Sequence, residues 1–197
     1  MRSIGLAASV GLAMALVFHA PCAGAAPQEL TLDPGSTAIS FTLGATLHRV
    51  EGEFRLSTGA IAFDPDTGVA GGELVVDATS ARTGMGSRDR NMHLDVLESE
   101  RYPRIVFRAE RLRVVEREAR RAVVELEGVL DMHGNQRPFV LTARLAAIGD
   151  RVAIETSFRV PYVDWGMRDE STLLLRVDRY VDVTVRADGR IAPVERE

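Results

Sequence analysis

Residues Gly71 to Phe107 read GGELVVDATSARTGMGSRDRNMHLDVLESERYPRIVF, two alternating apolar segments joined through a polar, arginine-rich insertion. Before the insertion Leu74, Val76 and Ala78 point one way while Glu73, Asp77 and Thr79 point the other, as a strand with one buried face requires. After it, Tyr102-Pro103 leads into Ile105-Val106-Phe107. The residue before a proline is driven out of the helical region, so the chain must enter that segment extended. The insertion itself reads as one short helix near residues 87–97. Ser87 is placed to cap it, and Met92 with Val96 shares one face at i, i+4.

Outward from this stretch, period-two alternation recurs down the chain and predicts antiparallel strands with one face inward. Val152, Ile154, Thr156, Phe158 and Val160 share a face opposite Arg151, Glu155, Ser157 and Arg159. Ala122, Val124, Leu126, Gly128, Leu130 and Met132 repeat the pattern, and Phe139, Leu141, Ala143 and Leu145 repeat it again. His133-Gly134-Asn135 and Gly149-Asp150 tolerate positive φ and join these three segments as a meander of tight hairpins. On the N-terminal side Thr37, Ile39, Phe41 and Leu43 alternate, as do Val50 and Phe54. Ile61 and Phe63 precede the turn Asp64-Pro65-Asp66-Thr67-Gly68. Leu173, Leu175, Val177, Val181, Val183 and Val185 give a last long strand.

The fold class is therefore all-β, with eight or nine strands and one helix. A single antiparallel barrel of about eight strands closes every edge and leaves room for one small ligand. A β-sandwich would bury the same residues without a cavity, and periodicity does not separate the two. The stretch Val160-Pro161-Tyr162-Val163-Asp164-Trp165-Gly166-Met167 has no alternation and carries the one tryptophan, so it reads as a loop at the barrel mouth.

Residues 1–25 read as a secretory signal: Arg2 supplies the positive start, Ile4 to Phe18 the apolar run and Ala23-Gly24-Ala25 a small-x-small cleavage site. The run is too short for a membrane span, which needs about 20 residues. Pro21 and His19 before Cys22 do not fit a lipoprotein anchor. Residues 26–197 would form one exported domain, periplasmic or secreted, of ~170 residues, long enough for its own core. It would hold no cysteine and so no disulfide. Losing Arg2 takes the formal charge from −4 to −5, and no basic footprint for nucleic acid is present.

Few residues suggest chemistry. Gly84-Met85-Gly86 lacks the third glycine and the βαβ setting of a dinucleotide loop. Helix-start amides beside Arg88 and Arg90 could hold an anion such as a prenyl phosphate head, or the glycines could simply turn the chain and Ser87 cap the helix. His48, His93 and His133 have no metal-ligand spacing, so no metal site is expected. His93 follows Asp89 by four residues, which predicts an i, i+4 pair. Ser87, Asp89 and His93 fall on one exposed turn with no walls to exclude water, and no nucleophile elbow occurs, so no catalytic residue and no cofactor is assigned.

The segment from Thr83 through Arg88-Asp89 and Leu94 to Tyr102-Pro103-x-Ile105-x-Phe107 resembles the YceI-like family of secreted, lipocalin-like polyisoprenoid-binding proteins. Leu32-Asp33-Pro34, Gly52-x-Phe54, Ile61-x-Phe63-Asp64-Pro65, Gly128-Val129-Leu130, His133-Gly134 and Pro138 extend the resemblance over nearly the whole exported chain. Tyr162 to Met167 departs from the simpler Asp-Phe-Gly stretch usual in that family and suggests a different mouth. The resemblance implies a barrel that binds isoprenoid, quinone-like or fatty-acyl chains without catalysis. The expected lumen is then Phe41, Val50, Phe54, Phe63, Phe107, Leu126, Leu141 and Phe158, with Arg88, Met92 and Trp165 at the mouth. Core packing would account for the same apolar residues. Two other functions remain open: a ligand-free envelope or interaction protein with a packed barrel, and a hydrolytic enzyme at the mouth. Oligomeric state is also open, a homodimer included.

Overall fold

Alternation becomes strand throughout the computed structural model, which describes residues 25–46, 49–171 and 176–194. Nine strands form: β1 (Gln28–Leu32), β2 (Ala38–Gly44), β3 (Arg49–Phe63), β4 (Ala70–Arg82), β5 (Arg104–Arg117), β6 (Arg121–Met132), β7 (Asn135–Ile148), β8 (Arg151–Val160) and β9 (Val181–Pro193). From β2 onward each strand pairs antiparallel with the next, and β9 pairs back to β2, so the sheet closes. Closure excludes the sandwich. β1 and β2 run in the same direction along the same two neighbours: β1 faces the far halves of β3 and β9, and β2 their near halves. They are one stave broken by a turn, which makes an eight-stranded barrel. The break is local chemistry. The Asp33 carboxylate accepts from the Gly35 N–H at 2.9 Å and Pro34 fixes the first φ of a 3-10 turn, Pro34–Ser36.

The meander β6–β7–β8 follows from its turns. Met132 pairs with Asn135, leaving His133 (φ 53°) and Gly134 (φ 73°) as a two-residue hairpin loop whose positive φ values match the strand twist. At the turn after β3, Asp64 accepts from the N–H groups of Asp66 and Thr67, and Gly68 takes φ 72°. Register shifts at Glu53/Arg55 and Leu56/Thr58 in the β3–β4 pair bend the wall, as bulges do.

Two expected elements differ. The helix α1 (Gly86–Asn91) begins one residue early, with Met85 in the cap position and no side-chain cap, and it runs into a π-type turn, Met92–Val96. Ser87 therefore lies inside the first turn and is not its cap. The last strand starts only at Val181; Val177 makes a lone bridge to Ala45, and Leu173 and Leu175 lie outside the described residues.

Candidate functional site

Inward-facing side chains of all the staves enclose a cavity of about 740 Å³. Its wall is apolar from Leu30 and Leu32 at the turn-closed end to Leu43, Met92 and Val96 under the helical insertion. Of the residues expected in the lumen, Phe41, Val50, Phe54, Phe107, Leu126, Leu141 and Phe158 line it. Phe41 and Phe54 meet with ring centroids 5.2 Å apart, and Phe139 presents its edge to Phe158 at 5.6 Å. Phe63 shares a face with Ile61 but sits two residues further on, at the strand end where Asp64 starts the turn, and it does not line the cavity.

Among the mouth residues, Arg88 and Met92 face the cavity. Trp165 does not. It belongs to the 3-10 turn Tyr162–Trp165, is 3% exposed, donates from its indole Nε1 to the Leu130 carbonyl at 3.3 Å and meets Phe139 edge-on at 6.3 Å. The Arg137 guanidinium covers its ring at 5.6 Å and donates to the Asp164 carbonyl. The stretch read as a mouth loop is thus a buried plug, with Tyr162 and Met167 also in the core.

Short polar ties hold the insertion over the mouth. Asp89 accepts from both the N–H and the hydroxyl of Thr83, and Arg88 donates from Nε to the same hydroxyl oxygen at 2.8 Å and from Nη2 to the Thr83 carbonyl at 3.2 Å. The Thr83 hydroxyl bond, above all, holds the Asp89 carboxyl below its ordinary value. His93 makes no hydrogen bond to Asp89. Its Nε2 lies 2.9 Å from the Ala81 carbonyl, an obligate acceptor, so that nitrogen carries the proton, and Nδ1 pairs with the Ser99 hydroxyl at 2.8 Å. The insertion is stitched to the end of β4 by Asp89, Arg88 and His93. Ser87, Asp89 and His93 do not form a relay. Among the described residues no three His, Cys, Asp or Glu side chains gather into a metal-binding group, and no helix is long and apolar enough to cross a membrane.

Sequence reading overlooked the wall contributed by β1. Leu30 and Leu32 alternate with Glu29 and Thr31, a signal that was present but only five residues long. Tyr162, Met167 and Glu170 also reach the cavity, from a segment without periodicity that only the closed fold brings there.

A closed eight-stranded antiparallel barrel with an apolar interior is a lipocalin-like fold, and here one helical insertion between its third and fourth staves lids it. The chain belongs to the YceI-like domain family, which it matches over residues 30–189. It is 21% identical over 199 residues to a UPF0312 protein of Vibrio cholerae serotype O1, covering 96% of each chain. Among solved structures it is similar to a polyisoprenoid binding domain from Saccharophagus degradans implicated in plant cell wall breakdown (TM-score 0.64, 17% identity, 83% of this chain and 98% of that one). BcnA of Burkholderia cenocepacia is alike to a similar degree (TM-score 0.65, 14% identity, 80% and 98%). So is the YCEI protein of Campylobacter jejuni (TM-score 0.60, 16% identity, 77% and 88%). At these identities the likeness is one of fold.

Proposed function

We propose that this protein is a carrier that holds a long apolar molecule, polyisoprenoid, quinone-like or fatty-acyl, inside the barrel and does not convert it. The observation that carries the reading is the apolar cavity of about 740 Å³. An apolar wall offers water few partners, whereas a chain methylene moved there from water gains about 0.8 kcal/mol. The Saccharophagus degradans relative, named for polyisoprenoid binding, supports the same class of occupant.

Non-catalysis is part of the proposal. Asp89 and His93, the acid–base candidates of the insertion, are each engaged in holding it down. Export to the periplasm or beyond is also part of it, motivated by the charged start, apolar run and Ala23-Gly24-Ala25. The test is native mass spectrometry of protein purified from its own host, followed by solvent extraction and titration with prenyl and acyl chains of increasing length. Affinity should climb with length until the cavity is full. Absence of extractable lipid together with length-independent affinity would defeat the carrier reading.

A further inference from the structure

We propose that the Tyr162 hydroxyl is the polar anchor of the cavity, donating a hydrogen bond to a neutral oxygen acceptor of carbonyl or ester type at the head of the bound chain. The proposal rests on the carrier reading and adds the chemistry of the head group to it.

Tyr162 opens the 3-10 turn after β8, is 6% exposed and lines the cavity near its lidded end. Its hydroxyl makes no hydrogen bond among the described residues. Every side-chain nitrogen or oxygen there that is sealed from solvent does have a partner, so this hydroxyl keeps some open surface, on a residue that lines the cavity. A buried phenol with a free donor is a group waiting for an acceptor. The other buried hydroxyl of the lining, Thr156, already donates to the Thr142 carbonyl at 2.8 Å.

Charge selects the acceptor. Burial, with the carboxylates of Asp169 and Glu170 adding to it, pushes the phenol up to about 12, so it keeps its proton and donates at every physiological pH. Arg179, whose charge acts on the phenol in the other direction, is paired with Asp169 at 3.7 Å and so is not free to hold an anionic head. The two charged side chains of the lining do not reverse this: Arg88 is bonded to Thr83 next to the Asp89 carboxylate, and Glu170 is paired with Arg168 at 3.1 Å. A neutral acceptor satisfies the phenol without bringing a charge out of water.

The test compares wild type with Tyr162→Phe, which keeps the ring and removes only the hydroxyl. Each is titrated with methyl palmitate, palmitate and hexadecane by displacement of a fluorescent apolar dye. The variant should bind methyl palmitate about five- to tenfold more weakly, the weight of one hydrogen bond, and hexadecane unchanged. Wild type should prefer methyl palmitate to palmitate. Equal affinities of the two proteins for methyl palmitate, an equal loss for hexadecane, or a preference for palmitate would each overturn the anchor while leaving the carrier reading in place. A lower melting temperature of the ligand-free variant would show the hydroxyl to be structural, which also overturns it. Binding of none of the three by wild type would remove the carrier reading, and the anchor with it.

Discussion

Thr83, the residue that follows β4, gives both its N–H and its hydroxyl to the Asp89 carboxylate on α1, so one residue pair ties the lid of the barrel to its wall. Because the bonded carboxyl titrates below its ordinary value of 3.8, the tie is complete above that value and is lost as pH falls through the lower, folded one. Amide hydrogen exchange across residues 83–97 should therefore be insensitive to pH-driven opening from neutral to mildly acid solution and rise only below pH about 3.8. Asp89→Asn should abolish that acid step and raise lid exchange roughly severalfold at neutral pH, with the barrel amides unmoved. An unchanged exchange pattern in the variant would show that the lid is held by other means.

The wall offers a second test, on affinity. Phe158 faces the cavity and Arg159, its neighbour, faces outward to pair with Asp182 at 2.8 Å. Phe158→Asp places a carboxylate among apolar groups and should weaken chain binding by at least about tenfold. Arg159→Ala should leave it unchanged. Circular dichroism must show both variants folded, and equal affinities in the two would place the ligand elsewhere.

Close packing at β6 sets a third expectation, on stability. A Cβ at Gly128 would collide with the Arg108 carbonyl and stand 2.9 Å from the Phe107 ring, whereas one at Gly71 would meet nothing within 4 Å. Gly128→Ala should destabilise by about 1–3 kcal/mol, because backbone must move to admit it. Gly71→Ala serves as the control, and urea unfolding of the two measures the difference.

Trp165 should report unfolding and not loading. Its indole is buried, bonded to Leu130 and outside the cavity lining, so emission should be blue-shifted in the free protein, resist acrylamide and change little on binding. A large shift on titration with a prenyl chain would mean that the plug moves when the ligand enters.

Export has its own measurement. N-terminal sequencing of protein from the periplasmic or secreted fraction should begin at Ala26. Recovery of the full-length chain from the cytosol would rule the signal out.

What could be read in the sequence was what neighbouring residues decide. The β6–β7–β8 meander was legible because each of its strands is long, alternates cleanly and ends in residues that accept positive φ, as His133 and Gly134 do. The closing pair β2–β9 was not, since Phe41 and Val183 meet across most of the chain and no local pattern encodes that choice. The wall residues of the site followed from alternation; their enclosure of a cavity and not a packed core did not, because volume is a property of the closed barrel. Phe63 was in phase and yet off the cavity, since phase fixes a face and not a depth along the stave. Trp165 was misplaced for a different reason. An aperiodic segment gives no face at all, and this one is folded inward by contacts with Leu130, Phe139 and Arg137 on other strands.

The broken first stave has a consequence for how the molecule comes into being. The strand that joins its two pieces to the rest of the cylinder on one side is β9, the last of the nine described strands in chain order. Until it is made, a growing chain can be at most an open curl with two bare margins and its greasy face uncovered. The closed chamber thus cannot exist before β9 has emerged, whereas the ties of the insertion to the end of β4 need only residues 81–93, and anything the barrel encloses must be acquired once that strand is in place.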